Sequence, residues 1–451
     1  MQTQRDHVHA HSFMMGRLAS ALVQGDPTSA QIPGQRALTG LLVGIVLVIL
    51  VGGGFAVYGW LVPGGSTAYR QAGVILVEKE TGTRYVYRDG LLRPTPNLTS
   101  AMLAQGPSAT VKLVSRESLK DLPRGPQLGI VDAPQSVPTA DALVAGPWLV
   151  CLPGSVVDRP GAGLGLNLDP GAPATPLAER TFTVARGPDG DTYLLVGAEK
   201  FPVADGSVLV ALGAATARPV VAPAAWLDWL PTGVPIGPAP IAGAGAPGPR
   251  VGGRVHPVGT LFRQRPAVGA DQLFVLRADG LAPVDRMEFA LAEVRRDAPP
   301  VVLDAAAVAA APRSADRTLT GRLPDLTGFR WQDPAGQVLC LRQRPAGEKA
   351  VSSRVVLAGR PVSGVGDDGA TTVLTRPGAG LTVRPAPAST ASSEVALISD
   401  QGVVHRLADA GTVAALKLGG APAVPFPRGL LAALPQGPVL SRTAVNSPAR
   451  G

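Results

Sequence analysis

The chain has 451 residues, too many for one ordinary core, so several modules are expected. Glycine (55) and proline (45) are abundant, aromatics make up 4% and charged residues 16%, yet 45% of residues are apolar. That is enough to bury cores, which excludes wholesale disorder and points to short elements with many turns. The net charge of +8 comes from scattered arginines with no basic run interleaved with aromatics, so no nucleic-acid groove is expected.

Residues 6–23 fit a helix that ends at Gly25-Asp26-Pro27. Phe13, Met14, Leu18 and Leu22 fall on or near one face, which suits a helix lying on a bilayer or one docking a cytoplasmic partner. His7, His9 and His11 alternate, a pattern that matches neither a helix face nor a metal site. From 38 to 62 no charged residue occurs, and 41–51 reads LLVGIVLVILV. Such a run spans about 37 Å as a helix, enough for a hydrocarbon core of about 30 Å with tilt. Tyr58 and Trp60 sit at its far end, where amphipathic rings favour an interface. A cleaved signal peptide is the alternative, but the run is long and starts late for one. Arg5, Arg17 and Arg36 precede the span, and the first charge after it is Arg70, which favours the N-terminus inside and residues 63–451 outside the cytoplasm.

The only cysteines, Cys151 and Cys340, both follow the span. An isolated pair in an oxidising compartment reads as a disulfide, with two unrelated free thiols as the alternative. Four segments share a plan of strand, turn, short helix, strand, short helix and proline exit. Pro94 to Leu122, Pro202 to Leu230, Pro283 to Ala311 and Arg406 to Leu434 are each 28 apart, and Pro123, Pro231, Pro312 and Pro435 follow. Asn97, Asp205, Asp285 and Asp409 stand where an N-cap should, Asp285 one place early. Pro123 to Cys151 and Pro312 to Cys340 are also 28 apart, so the region beyond the span reads as doubled.

The expected fold is α+β: one N-terminal transmembrane helix, then an elongated extracytoplasmic region of four small α/β repeats flanking a disulfide-linked, β-rich central domain with pseudo-two-fold symmetry. The division is a cytoplasmic segment 1–36 with a short helix, the span 37–62, repeat one 71–135, the first half of the central domain 136–185, and repeat two 186–238. A Gly/Pro-rich linker 239–255, repeat three 256–320, the second half of the central domain 321–390, repeat four 391–443 and a tail 444–451 complete it.

The opening RDHVHAHSFMMGRLASALVQGDP, the stretch VEKETGTRYVYRDGLLRPTPNLTSAML, then LPRGPQLGIVDAP, WLVCLPG and the ending LLAALPQGPVLSRTA resemble the EccB family, a membrane core component of actinobacterial type VII (ESX) secretion systems. The likeness runs over nearly the whole chain and is weakest at 161–176, 235–253 and 363–387. It implies four repeats around a disulfide-linked core on the outer face, within a hexamer-based membrane complex. The implied partners are an EccC-type motor ATPase, EccD and EccE membrane subunits and a mycosin protease.

Some members of that family carry an ATPase label. A P-loop needs Gly-Lys before its hydroxyl residue, and no Gly-Lys dipeptide occurs in this chain. Residues 161–167 (GAGLGLN) read as a flexible loop, not a dinucleotide fingerprint. Beyond the span the only histidines are His256 and His405, the latter expected at the surface, and Asp189/Asp191 and Asp367-Asp368 read as turns. No catalytic, cofactor or metal site is expected. The leading expectation is a structural subunit of a secretion complex. The alternatives are a wall-binding module presenting Trp226, Trp229 or Trp331 to glycan, and an ATPase.

Overall fold

The structure, a computed structural model, describes residues 4–25, 35–61, 67–152, 163–296, 298–364, 371–387, 394–420 and 422–446. The expected turn residues Asp367-Asp368, the first two residues of the 161–167 segment and the end of the tail lie outside these. Two helices open the chain, Gln4–Gln24 and Gln35–Leu61. Within the second, Ala37–Gly59 is long and apolar enough to cross a membrane, and none of it is buried against the rest of the chain.

Four sheets follow whose main path shares one strand order: third, second, first, fourth. In the first module the strands are Val74–Glu78, Arg84–Arg88, Leu91–Thr95 and Thr110–Val114. The second uses Thr181–Arg186, Thr192–Val196, Glu199–Pro202 and Val220–Val221, and Arg330–Trp331 adds a short parallel pairing. The third uses Leu261–Gln264, Gln272–Arg277, Gly280–Pro283 and Val301–Leu303. The fourth uses Leu381–Ala386, Val395–Ile398, Val404–Leu407 and Val424–Pro427. The first three strands form an antiparallel meander. The fourth pairs parallel to the first, which requires the crossover helix between them.

The third strand is a sheet edge, and there the prolines find their place. Leu92, Lys200, Leu281 and Val404 each donate their outward N–H to the carbonyl of Pro123, Pro231, Pro312 and Pro435, at 2.8–2.9 Å. Residues two further on share that outward direction, so Pro94, Pro202 and Pro283 forgo an N–H that no ladder partner needs. The carbonyls of Pro94, Pro202 and Arg406 accept from Leu128, Ile236 and Leu440. The exit segment is thereby laced along the edge, which blunts it against strangers.

The helix caps divide. Asn97 and Asp409 cap Leu98–Gln105 and Ala410–Ala415 by accepting from Ser100 N and Thr412 N. Asp285 holds the N-cap position of Arg286–Val294, but its carboxylate accepts from Gly321 N instead. Asp205 stands one residue before the cap and accepts from Ser207 N.

The cysteine strands meet in a six-stranded sheet. Its order is Thr372–Leu374, Gly165–Asn167, Trp148–Cys151, Val338–Ala346, Ala350–Ala358 and Thr175–Pro176. Each half of the chain supplies three strands, and exchanging the halves reverses the order. Strand direction departs from that exchange at the rims: Thr372–Leu374 runs parallel to its neighbour, Thr175–Pro176 antiparallel.

Several expectations are corrected here. Gly165–Asn167 is a buried strand of this sheet rather than loop, because its backbone is paired on both sides. The stretch 239–255 is not a bare linker: Pro247–Val251 pairs antiparallel with Arg254–Pro257 across Gly252-Gly253, both at positive φ as a two-residue hairpin turn demands. The repeat plan had two strands where each module has four. Thr181–Arg186 and Leu381–Ala386 belong to the second and fourth modules and not to the central stretches 136–185 and 321–390. Without them those sheets would lack their centre.

Packing runs in a line. Leu103 and Leu128 of the first module share a core with Leu416 and Leu440 of the fourth. The fourth and second modules both pack on the central sheet through Phe426, Val424, Trp226 and Leu230. The second module packs on the third, Phe182 and Val208 meeting Met287 and Leu291.

Candidate functional site: the disulfide-locked centre

The central sheet is where strands from the two halves of the chain pair. Trp148–Cys151 is buried along its whole length, as an interior strand with both faces covered should be. Cys340 lies directly opposite Cys151 in the antiparallel register, and the two are bridged. In the same register Gln343 faces Trp148 and accepts its indole N–H at 2.9 Å, while the Gln343 amide donates to Ser353 Oγ at 3.1 Å. Three buried polar groups are thus satisfied across three strands, as burial requires. From outside, the second module inserts Trp226, whose Nε1 donates to Val150 O at 2.9 Å, and the fourth inserts Phe426 with its ring 4.9 Å from that of Trp148.

Lys200 supports the Trp226 helix. It occupies the place that Leu92, Leu281 and Val404 hold in the other modules, and it is buried. Its Nζ donates to Leu227 O at 2.8 Å and lies 3.8 Å from Asp228. Burial pushes this amine below its ordinary range, with Asp228 pulling the other way. A cation at the end of the Ala224–Leu227 helix meets carbonyls that lack helical partners.

The spacing anchors fall in matching positions. Leu230, Ala311 and Leu434 are buried and Leu122 is half-buried, each just before its exit proline. Pro94, Pro202, Pro283 and Arg406 lie on the edge strands and do not converge on a common site. His405, expected at the surface, is buried, because Gly437 leaves room for its ring: a Cβ there would come within 2.2 Å of it. Burial pushes the imidazole below its ordinary value of 6.5, and a hydrogen bond with the Pro438 carbonyl opposes this.

Among the described residues no group of three or more His, Cys, Asp or Glu is placed to hold a metal. A cleft of about 510 Å³ in the fourth module is lined chiefly by Ala410, Val413, Ala414 and Leu418, with Arg384 and Asp409 as its charged groups. It contains no nucleophile paired with a base. Trp226 is buried and Trp229 and Trp331 are partly so, which deprives the glycan-stacking expectation of its best ring. Gln343, Lys200 and Phe426 were not singled out from sequence. The one available signal was Lys200, a charge where the other copies are aliphatic.

The family model described as "Type VII secretion system ESX-1, transport TM domain B" matches residues 1–448. The chain belongs to the EccB family of type VII secretion. Among EccB relatives, "ESX-1 secretion system ATPase EccB1" of Mycobacterium tuberculosis is 28% identical over 98% of this chain and 94% of the relative. "ESX-3 secretion system ATPase EccB3" of Mycolicibacterium smegmatis is 29% identical over 97% and 89%. Three solved structures share the fold. A chain of the intact ESX-5 inner membrane complex covers 100% of this chain and 96% of its own length, with a TM-score of 0.61 at 22% identity. A chain of the ESX-5 periplasmic assembly covers 85% and 97%, with 0.62 at 23%. The EccB3 dimer of the ESX-3 core complex is 26% identical, covering 82% and 99%, with a TM-score of 0.58. As an EccB chain with one apolar helix, the protein fits a single-pass component of a secretion membrane complex.

Proposed function

We propose that this EccB chain is a structural subunit: its helix anchors it, its N-terminus lies in the cytoplasm, and its modules build the extracytoplasmic vestibule of a type VII secretion complex. The observation that carries this reading is the Cys151–Cys340 bridge at the middle of a shared sheet, with a docked module on either side. Buried contacts of this kind make a rigid spacer. The doubled spacing and the reversible strand order support descent of both halves from one unit, arranged about a pseudo-two-fold axis through the bridge. Partners on this reading are a motor ATPase, the EccD and EccE membrane subunits, a mycosin protease and further copies of the chain.

The relatives' names say ATPase. The chain's lack of any Gly-Lys dipeptide speaks against a P-loop. Full-length protein purified without the motor should show no ATP turnover above a buffer blank. Turnover that co-elutes with it and disappears on substitution of this chain's own residues would overturn the structural reading. For topology, a thiol probe that cannot cross the membrane should label a cysteine introduced at Val268 and spare one introduced at His9 in intact cells.

A further inference from the structure

We propose that the hairpin Val338–Ala346/Ala350–Ala358 carries a docking strand for an extended acidic segment of a partner protein, a role beyond scaffolding. The hairpin outgrows its sheet. Trp148–Cys151 pairs with it only as far as Gln343, and Thr175–Pro176 only at Val356 and Leu357. Its two free edges differ. On the first strand the outward position past Gln343 is Pro345, which has no N–H to offer and blocks pairing. On the second strand Val355 sends its N–H away from the hairpin, to Gly197 O. By alternation Val351, half-buried against the central core, and Ser353, buried, send theirs the same way, and among the described residues neither meets a backbone acceptor.

Charge singles out what would come to that edge. The register sets Arg342 opposite Arg354 and Arg344 opposite Ser352, so three guanidiniums share one face. Like charges directly opposed across a ladder are destabilising. Arg116, Arg277, Arg322 and Arg376 each have a carboxylate partner. Arg342, Arg344 and Arg354 have none among the described residues: Arg342 donates to the carbonyls of Ala172 and Ala174, and Arg344 only to Ser352 Oγ at 3.4 Å. Arg354 lines a groove of about 360 Å³ toward the second module, where Arg180 adds a further cation and Glu179 is the carboxylate present. Glu348 sits in the hairpin turn. A backbone edge with N–H groups that lack acceptors, beside arginines that lack carboxylates, selects a strand with carboxylates on alternate residues, since both the ladder and the charges are then satisfied.

The test uses full-length protein in detergent micelles and a fluorescein-labelled alternating Glu-Val peptide, read by anisotropy. Binding is expected, and Arg344→Glu/Arg354→Glu should weaken it at least about tenfold, each lost charge-assisted bond contributing. Val351→Pro removes the outward N–H, along with the valine's packing on the central core, and should weaken binding with the arginines intact. Both variants must keep the Cys151–Cys340 bridge by non-reducing peptide mapping. If the double reversal does not fold, Arg354→Gln is read in its place and should still weaken binding several-fold. Equal affinity for a Lys-Val peptide, or insensitivity to these substitutions, overturns the proposal. So does competition by inorganic phosphate or phosphatidylglycerol vesicles that matches the peptide and ignores Val351→Pro, since that marks simple anion attraction.

Discussion

The four modules share one topology and meet two fates. In the fourth, the returning strand Val424–Pro427 is buried at every residue against the central sheet. In the first, the equivalent strand Thr110–Val114 exposes its first four residues, Val111 at 53% and Leu113 at 65%. The second module resembles the fourth, its exit helix delivering Trp226 to the centre, while Val302 of the third is 61% exposed. Identical architecture therefore says nothing about where stability is stored. That is decided by which modules touch the bridged sheet.

The largest effect should come from the bridge. Replacing Cys151 and Cys340 with serine frees a loop of 189 residues, and the loop-entropy estimate puts the loss near 5 kcal/mol. Chemical denaturation of the wild type with and without reductant, beside the double serine variant, checks this, and an unchanged midpoint would remove the centre's privilege. Next, Phe426→Ala should cost about 3–5 kcal/mol, as expected for a fully buried ring. A loss no greater than that at an exposed edge residue would erase the distinction between docked and outer modules.

A smaller effect tracks pH. His405 lies in the docked fourth module with its folded value below 6.5, so below that pH the unfolded chain takes up a proton that the folded one resists. Stability is then full above about pH 6.5 and falls on acidification by on the order of 1 kcal/mol per pH unit until the folded value is reached. Thermal melts from neutral pH downward should show this, with a shallower decline in His405→Gln. The smallest change belongs to the outer module: Leu113→Ala should stay within about 0.5 kcal/mol. A larger loss in the isolated chain would mean that the edge is covered.

Much of this fold was legible, for a physical reason. Proline at an edge position and an Asx cap are local requirements, so Pro94, Pro202, Asn97 and Asp409 announce themselves in spacing alone. The opening strands of the second and fourth modules were not, because TFTVAR and LTVRPA read as any strand, and only pairing assigns them to a sheet. The 247–257 hairpin was hidden by composition, although Gly252-Gly253 between Val251 and Val255 was a usable turn signal. His405 shows the limit of residue type as evidence: its burial depends on Gly437, thirty-two positions away, lacking a side chain. For the candidate site, the pairing of Cys151 with Cys340 was foreseeable from matched offsets. The Trp148–Gln343–Ser353 chain needed the register.

The shared core of the first and fourth modules joins residues from the two ends of the folded region. Arg88 reaches Asn446 at 2.8 Å, Lys417 donates to Ala109 O, and Leu103 and Leu128 share a core with Leu416 and Leu440. The module made first must therefore wait, with part of its apolar surface bare, until the fourth module has been made. A chain cut short before the fourth module would leave that surface open to proteases, so closure doubles as a proofreading step that only finished molecules pass.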